Sequence, residues 1–218
     1  MSGPFIYLLN IFSKSVISQF ISEQSNKSKS ADPVGVIAVT IFATPVFKLG
    51  NEVPLTDILL AKLHKTCPVI FGISGDQSTA RGRARIGWQN LDGAWIAEQR
   101  HIERQSGLAA GYAALSLRDF SRSKNKNPFP NAHYWRAVAC IVDTPPQEIQ
   151  PTHFVVLKGL LDGFVPRFIA FYGQAAMAAL RNALVEFPAK AQGAAKTSAG
   201  QMSVLEEVLE RDLRVSFR

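Results

Sequence analysis

The stretch Ile58-Leu-Leu-Ala-Lys62-Leu-His64-Lys65-Thr-Cys67-Pro68 admits one regular conformation. Its apolar residues return at helical spacing, and the proline, which has no N–H to donate, ends the run. At roughly 100° per residue, Leu55, Leu59, Leu60, Leu63 and Cys67 share one broad face, while Lys62 and Lys65 project about 60° apart on the neighbouring flank. Cations in the last turns suit the helix dipole, which by itself accounts for them at a solvated helix end. Two cations at i and i+3 also repel each other, and an anion between them turns that repulsion into attraction. A phosphorylated ligand is the plain candidate.

The same periodicity recurs along most of the chain. From Pro4 to about Glu23, Leu9, Phe12, Val16 and Phe20 form an amphipathic stripe with Lys14 off it. Ser25 to Asp32 reads as a flexible loop, and Pro33 to about Ala43 as a buried helix capped by Asp32, although Val36 to Phe42 is β-branched enough for a strand. Thr44 to Glu52 is turn-like and Pro54 opens the basic helix. Residues 69–100, rich in glycine around Arg81, Arg83 and Arg85, read as an elongated surface loop anchored by Trp88 and Trp95. Helices are expected over His101 to about Phe120, from Pro128 through Cys140, over Thr152 to about Phe171, over Gly173 to Phe187 and over Gln201 to about Val215. A basic loop at 121–127 and a mobile stretch up to Gly200 lie between them. Successive helices with short turns make an α-solenoid-like stack the natural architecture.

With 218 residues, 47% of them hydrophobic and 19% charged, the chain can build one sizeable core. Its net charge of +7 favours polyanions without choosing among nucleic acid, lipid head groups and soluble phosphates. Cys67 and Cys140 stand far apart in apolar helical sequence, which fits neither a zinc spacing nor a disulfide framework and suits a reducing, intracellular compartment. The Phe5 to Phe12 run lacks a preceding basic residue and is interrupted by Asn10, unlike a secretory signal. No uninterrupted apolar run reaches the roughly 18 to 20 residues of a membrane span, so no membrane is expected.

Ala61-Lys-Leu-His-Lys-Thr-Cys-Pro68 resembles the basic-helix segment of the GLE-one family, mRNA export factors of the nuclear pore. Gly82-Arg-Ala-Arg-Ile-Gly-Trp88, Tyr112-Ala-Ala, Pro128-Phe-Pro-Asn-Ala-His-Tyr-Trp135, Asp143-Thr-Pro145, Thr152-His-Phe-Val-Val-Leu157, Phe171-Tyr-Gly-Gln174 and Gly200-Gln-Met202 resemble further family motifs in the same order. The resemblance spans about residues 10–215 and is to the C-terminal domain of a fungal member, so residues 1–218 are expected to be one such domain without the family's N-terminal coiled coil. It implies an all-α, HEAT/MIF4G-like α-solenoid stack of about 8–10 helices that regulates and does not catalyse. It also implies that the domain binds inositol hexakisphosphate, docks a DEAD-box RNA helicase and stimulates its ATPase cycle. The implied setting is the cytoplasmic face of the nuclear pore complex and the cytoplasm, with an FG-type nucleoporin at the C-terminal helices, translation factors as further partners and no stable direct DNA binding. Carried over by position, the inositol-phosphate ligands are Lys14, Lys62 and Lys65, with Ser18 and Thr66 as additional polar contacts at places where relatives have basic or polar side chains.

Other chemistry is poorly represented. Gly72-Ile-Ser74-Gly75-Asp76 has an aspartate where a nucleophile elbow needs its last glycine. His64, His101, His133 and His153 lack i, i+4 partners, so no metal site is expected, and His133 and His153 read as closing helix ends. Gly82 to Gly87 has the wrong glycine spacing for a dinucleotide fingerprint. Two further readings stay open: a direct RNA-binding module using the arginine loop and the 121–127 loop, with steep salt dependence, or a helical scaffold that binds a nucleoporin without regulating an ATPase.

Overall fold

The computed structural model describes residues 3–22, 31–49 and 53–217. It is all-α with two short antiparallel ladders. The helices are α1 (Gly3–Ser22), α2 (Ala31–Ala43), α3 (Asp57–Thr66), α4 (Ala80–Arg85), α5 (Glu98–Ser116), α6 (Ala132–Val142), α7 (Pro151–Leu161), α8 (Val165–Tyr172), α9 (Gln174–Arg181), α10 (Phe187–Ala189) and α11 (Ala194–Leu213). A π-helical turn, Asn182–Glu186, joins α9 to α10. Strands β1 (Lys48–Leu49) and β2 (Val53–Pro54) pair before α3, and β3 (Asn90–Leu91) and β4 (Ala94–Trp95) pair before α5.

Helix α5 is the hub. Helices α1, α2 and α7 pack on it directly, and α3 and α6 also touch it. Its sequence explains why, because Gly107, Ala109, Ala110, Gly111, Ala113 and Ala114 are all buried, and such small side chains let neighbouring helices approach from several directions. At Gly111 the approach is extreme: a Cβ there would lie 2.3 Å from the ring of Phe20 on α1. A Cβ at Gly159 on α7 would lie 2.7 Å from the carbonyl oxygen of Ser106 on α5. Buried apolar residues from Leu9 to Phe217 join one contiguous cluster around this hub.

Two further interactions fix α2. Asp32 is paired with Arg118 at the end of α5 and accepts two hydrogen bonds, at 2.6 and 2.7 Å, from Arg167 on α8. Chiefly through the Arg167 hydrogen bond, its carboxyl is held below the usual carboxylate range. At its other end, Phe42 contacts Phe12, Phe47 and Phe129 with ring centroids 5.8, 6.2 and 5.7 Å apart.

Several expectations are corrected. Asp32 is not a cap for a helix starting at Pro33: α2 begins at Ala31, and the carboxylate points to the two arginines. The β-branched run inside α2 is helical, because tertiary burial of Ala38, Val39 and Phe42 outweighs strand propensity. The rest of the Ser25 loop lies outside the described residues, as does the end of the Thr44 turn. Residues 69–100 are not an elongated loop. Pro68–Phe71 is a 3-10 turn, Thr79 caps α4 by accepting from the Gly82 N–H at 2.9 Å, and Val69, Ile70 and Ile86 are buried. Gly82 makes this folding possible, since a Cβ there would lie 1.8 Å from the Asp76 carbonyl oxygen.

The helix expected over Thr152 to Phe171 is broken after Leu161. Gly163 takes φ +78°, and the hydroxyl of buried Tyr134 donates at 3.0 Å to the Leu160 carbonyl, at the end of α7. The stretch read as mobile before Gly200 is helical from Ala194 onward. Cys140 is exposed rather than embedded, whereas Cys67 is buried, and burial pushes its thiol up to about 12. Finally, α1 does have the length and mean hydropathy of a membrane-crossing helix, but Leu9, Val16, Ile17 and Phe20 form a stripe buried within the domain.

The close contact at Gly111 generates a sign test. In an isolated helix Gly→Ala stabilises by about 1 kcal/mol. Here Gly111→Ala is expected to destabilise by about 1–3 kcal/mol in urea unfolding, as overpacking does, and Phe20→Leu should relieve most of that loss in a double-mutant cycle.

Candidate anion-binding site

The basic helix forms as its sequence dictates. Leu59 and Leu63 are fully buried, Asp57 sits in the first turn, and the Cys67 N–H closes the last turn on the Leu63 carbonyl at 2.7 Å before Pro68 starts the 3-10 turn. Lys62 is half-buried and Lys65 exposed, and His64 lies on the flank away from Lys62. His64 leans instead on Phe71, with ring centroids 5.0 Å apart.

Lys14 is exposed on α1, which packs against α3. On α1 the Phe5 and Phe12 flank meets Phe47 and Phe42. Lys14, two residues beyond Phe12 and so about 200° further round, projects from the flank facing away from α2. Ser18 is exposed one turn later. Among the described residues, no carboxylate forms an ion pair with Lys14, Lys62 or Lys65; the ion pairs found there use Arg118, Arg167, Arg181 and Arg211. Such cations suit an external polyanion.

Thr66 contributes differently from its sequence reading as a polar contact. Its hydroxyl donates to the Lys62 carbonyl at 2.8 Å, so its proton serves the helix end and only the oxygen lone pairs face outward. The Thr66 carbonyl is in turn held by the hub: the Gln105 side-chain amide donates to it at 3.0 Å and to the Gly87 carbonyl at 3.1 Å. The sequence signals around Lys62 gave no sign of this anchor, because Gln105 lies far along the chain.

The remaining polar groups are structural. His101 is buried, stacks on Trp88 with centroids 4.1 Å apart, and meets the Thr152 hydroxyl at 3.0 Å through Nε2. Burial pushes its pKa down to about 3. His153 accepts the Gln150 N–H at 3.0 Å and closes the start of α7, as expected; burial depresses it to about 4. Among the described residues no cluster of His, Cys, Asp or Glu fits a metal ion. Arg83 is also occupied. Its Nε donates to the Gln77 carbonyl at 2.7 Å, and its guanidinium lies 5.1 Å from the centroid of Trp88 and 5.9 Å from that of Trp95.

The family described as GLE1-like protein matches residues 2–184. The chain belongs to that family. It is 48% identical over 208 residues to the mRNA export factor GLE1 of Chaetomium thermophilum, covering 95% of this chain and 39% of that protein. It is 29% identical over 174 residues to the mRNA export factor GLE1 of Saccharomyces cerevisiae, covering 78% of this chain and 31% of the relative. The chain thus spans well under half the length of these GLE1 relatives. Among solved structures, the Saccharomyces cerevisiae complex of a Dbp5 C-terminal domain variant with Gle1 and IP6 superposes with a TM-score of 0.81 at 27% identity. The match covers 97% of this chain and 71% of the other. A second such complex, carrying a histidine-to-arginine Gle1 variant, gives a TM-score of 0.80.

The buried histidines set a pH dependence. Unfolded, each binds a proton below its ordinary value of 6.5; folded, His101 and His153 resist protonation until about 3 and about 4. The unfolded chain therefore binds more protons in that window, and their contribution is present above 6.5 and lost as pH falls toward the folded values. Thermal midpoints should fall steadily from pH 6.5 to pH 4, and His101→Gln should flatten that slope when measured by scanning calorimetry.

Proposed function

We propose that this domain binds inositol hexakisphosphate through Lys14, Lys62 and Lys65 and, with that ligand, docks a DEAD-box RNA helicase and stimulates its ATPase cycle in mRNA export. The observation that carries the reading is the set of lysines without carboxylate partners among the described residues, on two mutually packed helices, α1 and α3, within the fold that Gle1 adopts in its complexes with Dbp5 and IP6. In this reading exposed Ser18 offers the phosphates a hydroxyl donor, whereas Thr66, whose proton goes to the Lys62 carbonyl, offers them none without rotating away from it.

Magnitudes favour a ligand shared with a partner. A charge-assisted hydrogen bond contributes roughly 1.5–3 kcal/mol, so three such contacts supply about 5–9 before ordering costs, against about 8 for micromolar binding. The domain alone holds the ligand modestly. Phosphates left facing outward then meet basic groups of the helicase, and the ligand acts as an electrostatic tether. The packed helices hold the docking surfaces at fixed separation, and a partner touching both lobes of the ATPase shifts its cycle through differential affinity for the open arrangement.

The cytoplasmic face of the nuclear pore is the setting this activity requires. For the FG-type nucleoporin, support comes from a cleft of about 410 Å³ between α6, α8 and α9, lined by Trp135, Val138, Val142, Phe168 and Ala179. The reading as a dedicated RNA-binding module built from both basic loops is less well supported. Arg83 is held by Gln77 and two indoles, and the arginine helix and the 121–127 loop adjoin opposite ends of α5, roughly 28 Å apart at 1.5 Å per residue.

Lys62→Gln combined with Lys65→Gln should lower inositol hexakisphosphate affinity of the helicase complex about a hundredfold or more by calorimetry, each lost contact being worth about 1.5 kcal/mol or more. The same variant should lose most of the ligand-dependent part of RNA-stimulated ATP hydrolysis. Unchanged binding would remove the lysines from the site.

A further inference from the structure

A second cationic groove lies away from the lysines described above. Lys48, Lys124 and Lys126 line a cavity of about 510 Å³ together with Pro54, Pro128 and Asn125. The sequence separates Lys48 from the basic loop widely, and the core brings them together. Phe47, the residue before Lys48, packs on Phe42, and Phe42 packs edge-on against fully buried Phe129 at the far end of the loop. The loop is tied down as well: the Asn127 side-chain amide lies within 3.5 Å of the Leu115, Ser116 and Arg118 carbonyls, and its Oδ1 accepts the Phe129 N–H at 2.8 Å. The backbone on either side of the groove is thereby anchored to the core.

Among the described residues no acidic side chain lines this groove and none of the three lysines forms an ion pair. Three like charges in one cleft call for an external anion. Its chemistry can be narrowed. Arginine, whose planar fork grips carboxylates in bidentate fashion, is absent from the lining, and lysines act as point charges without geometric demand. Pro54, Pro128 and Pro130 add apolar surface to the same lining. A lining that combines lysines with proline side chains suits a phosphodiester chain, whose anionic backbone carries apolar sugar and base faces.

We propose that the Lys48–Lys124–Lys126 groove binds the backbone of single-stranded RNA. Among the described residues no aromatic ring lines it, so it binds without base preference and its affinity is electrostatic. The groove is separate from the inositol-phosphate site proposed above: Pro54 lies before the start of α3 and Lys65 in its last turn, roughly 12 Å along the axis from Asp57.

The test is fluorescence anisotropy of a labelled short oligouridylate with the domain. Three phosphate contacts to a single strand give a log–log salt slope of about −2, or roughly a twentyfold loss between 50 and 200 mM salt. The Lys48→Gln, Lys124→Gln, Lys126→Gln variant should abolish that slope and the binding, with its thermal midpoint unchanged, while still binding inositol hexakisphosphate in calorimetry. Lys62→Gln with Lys65→Gln should do the reverse. Retained oligouridylate binding in the triple variant, or displacement by polyglutamate at equal charge concentration, would overturn the proposal, the second outcome marking a groove for acidic peptides. Failure of this arm leaves the inositol-phosphate reading to its own titration.

Discussion

Everything in this fold leans on one helix whose side chains are small. Because α5 presents alanine and glycine on its buried surface, α1 and α7 come close enough to touch its backbone, and Phe20 seats its ring where Gly111 has no Cβ. Dispersion at such close approach is strong and its distance dependence steep, so the contact sets helix position finely as well as stabilising it. The basic helix inherits that accuracy through α1 and through Gln105. Lysines are flexible point charges; what a fold can give them is a firm base.

The charge pattern follows a consistent division. The arginines that hold the domain together are satisfied inside it: Arg118 and Arg167 share Asp32, and Arg83 rests between two indoles. The lysines on α1, α3 and around the second groove form no ion pair among the described residues. Guanidinium groups suit planar, bidentate and stacked partners, while ammonium groups suit exchangeable anions. The net charge of the chain is thus apportioned by residue type between cohesion and contact.

Much of this was legible from the sequence where periodicity was strong. The stripes on α1 and α3, the stop at Pro68 and the closing role of His153 follow from spacing and proline chemistry, and the ordered motifs led to the family. What was hidden depended on contacts distant in sequence. Residues 69–100 looked irregular because their glycines were read as freedom, whereas Gly82 is there to let the Asp76 turn pack against α4. Asp32 looked like a cap because it precedes a proline, and only the approach of Arg118 and Arg167 reveals its use. The break after Leu161 is stabilised by Tyr134, whose hydroxyl no local rule connects to that carbonyl. Lys48 had no sequence signal at all, since its significance comes from Phe42 and Phe129.

One amide group joins otherwise distant regions. The Gln105 side chain holds the last carbonyl of the basic helix with one hydrogen of its NH2 group and the Gly87 corner with the other. A single planar group thereby pins the lysine-bearing helix end and the glycine corner to the same turn of α5.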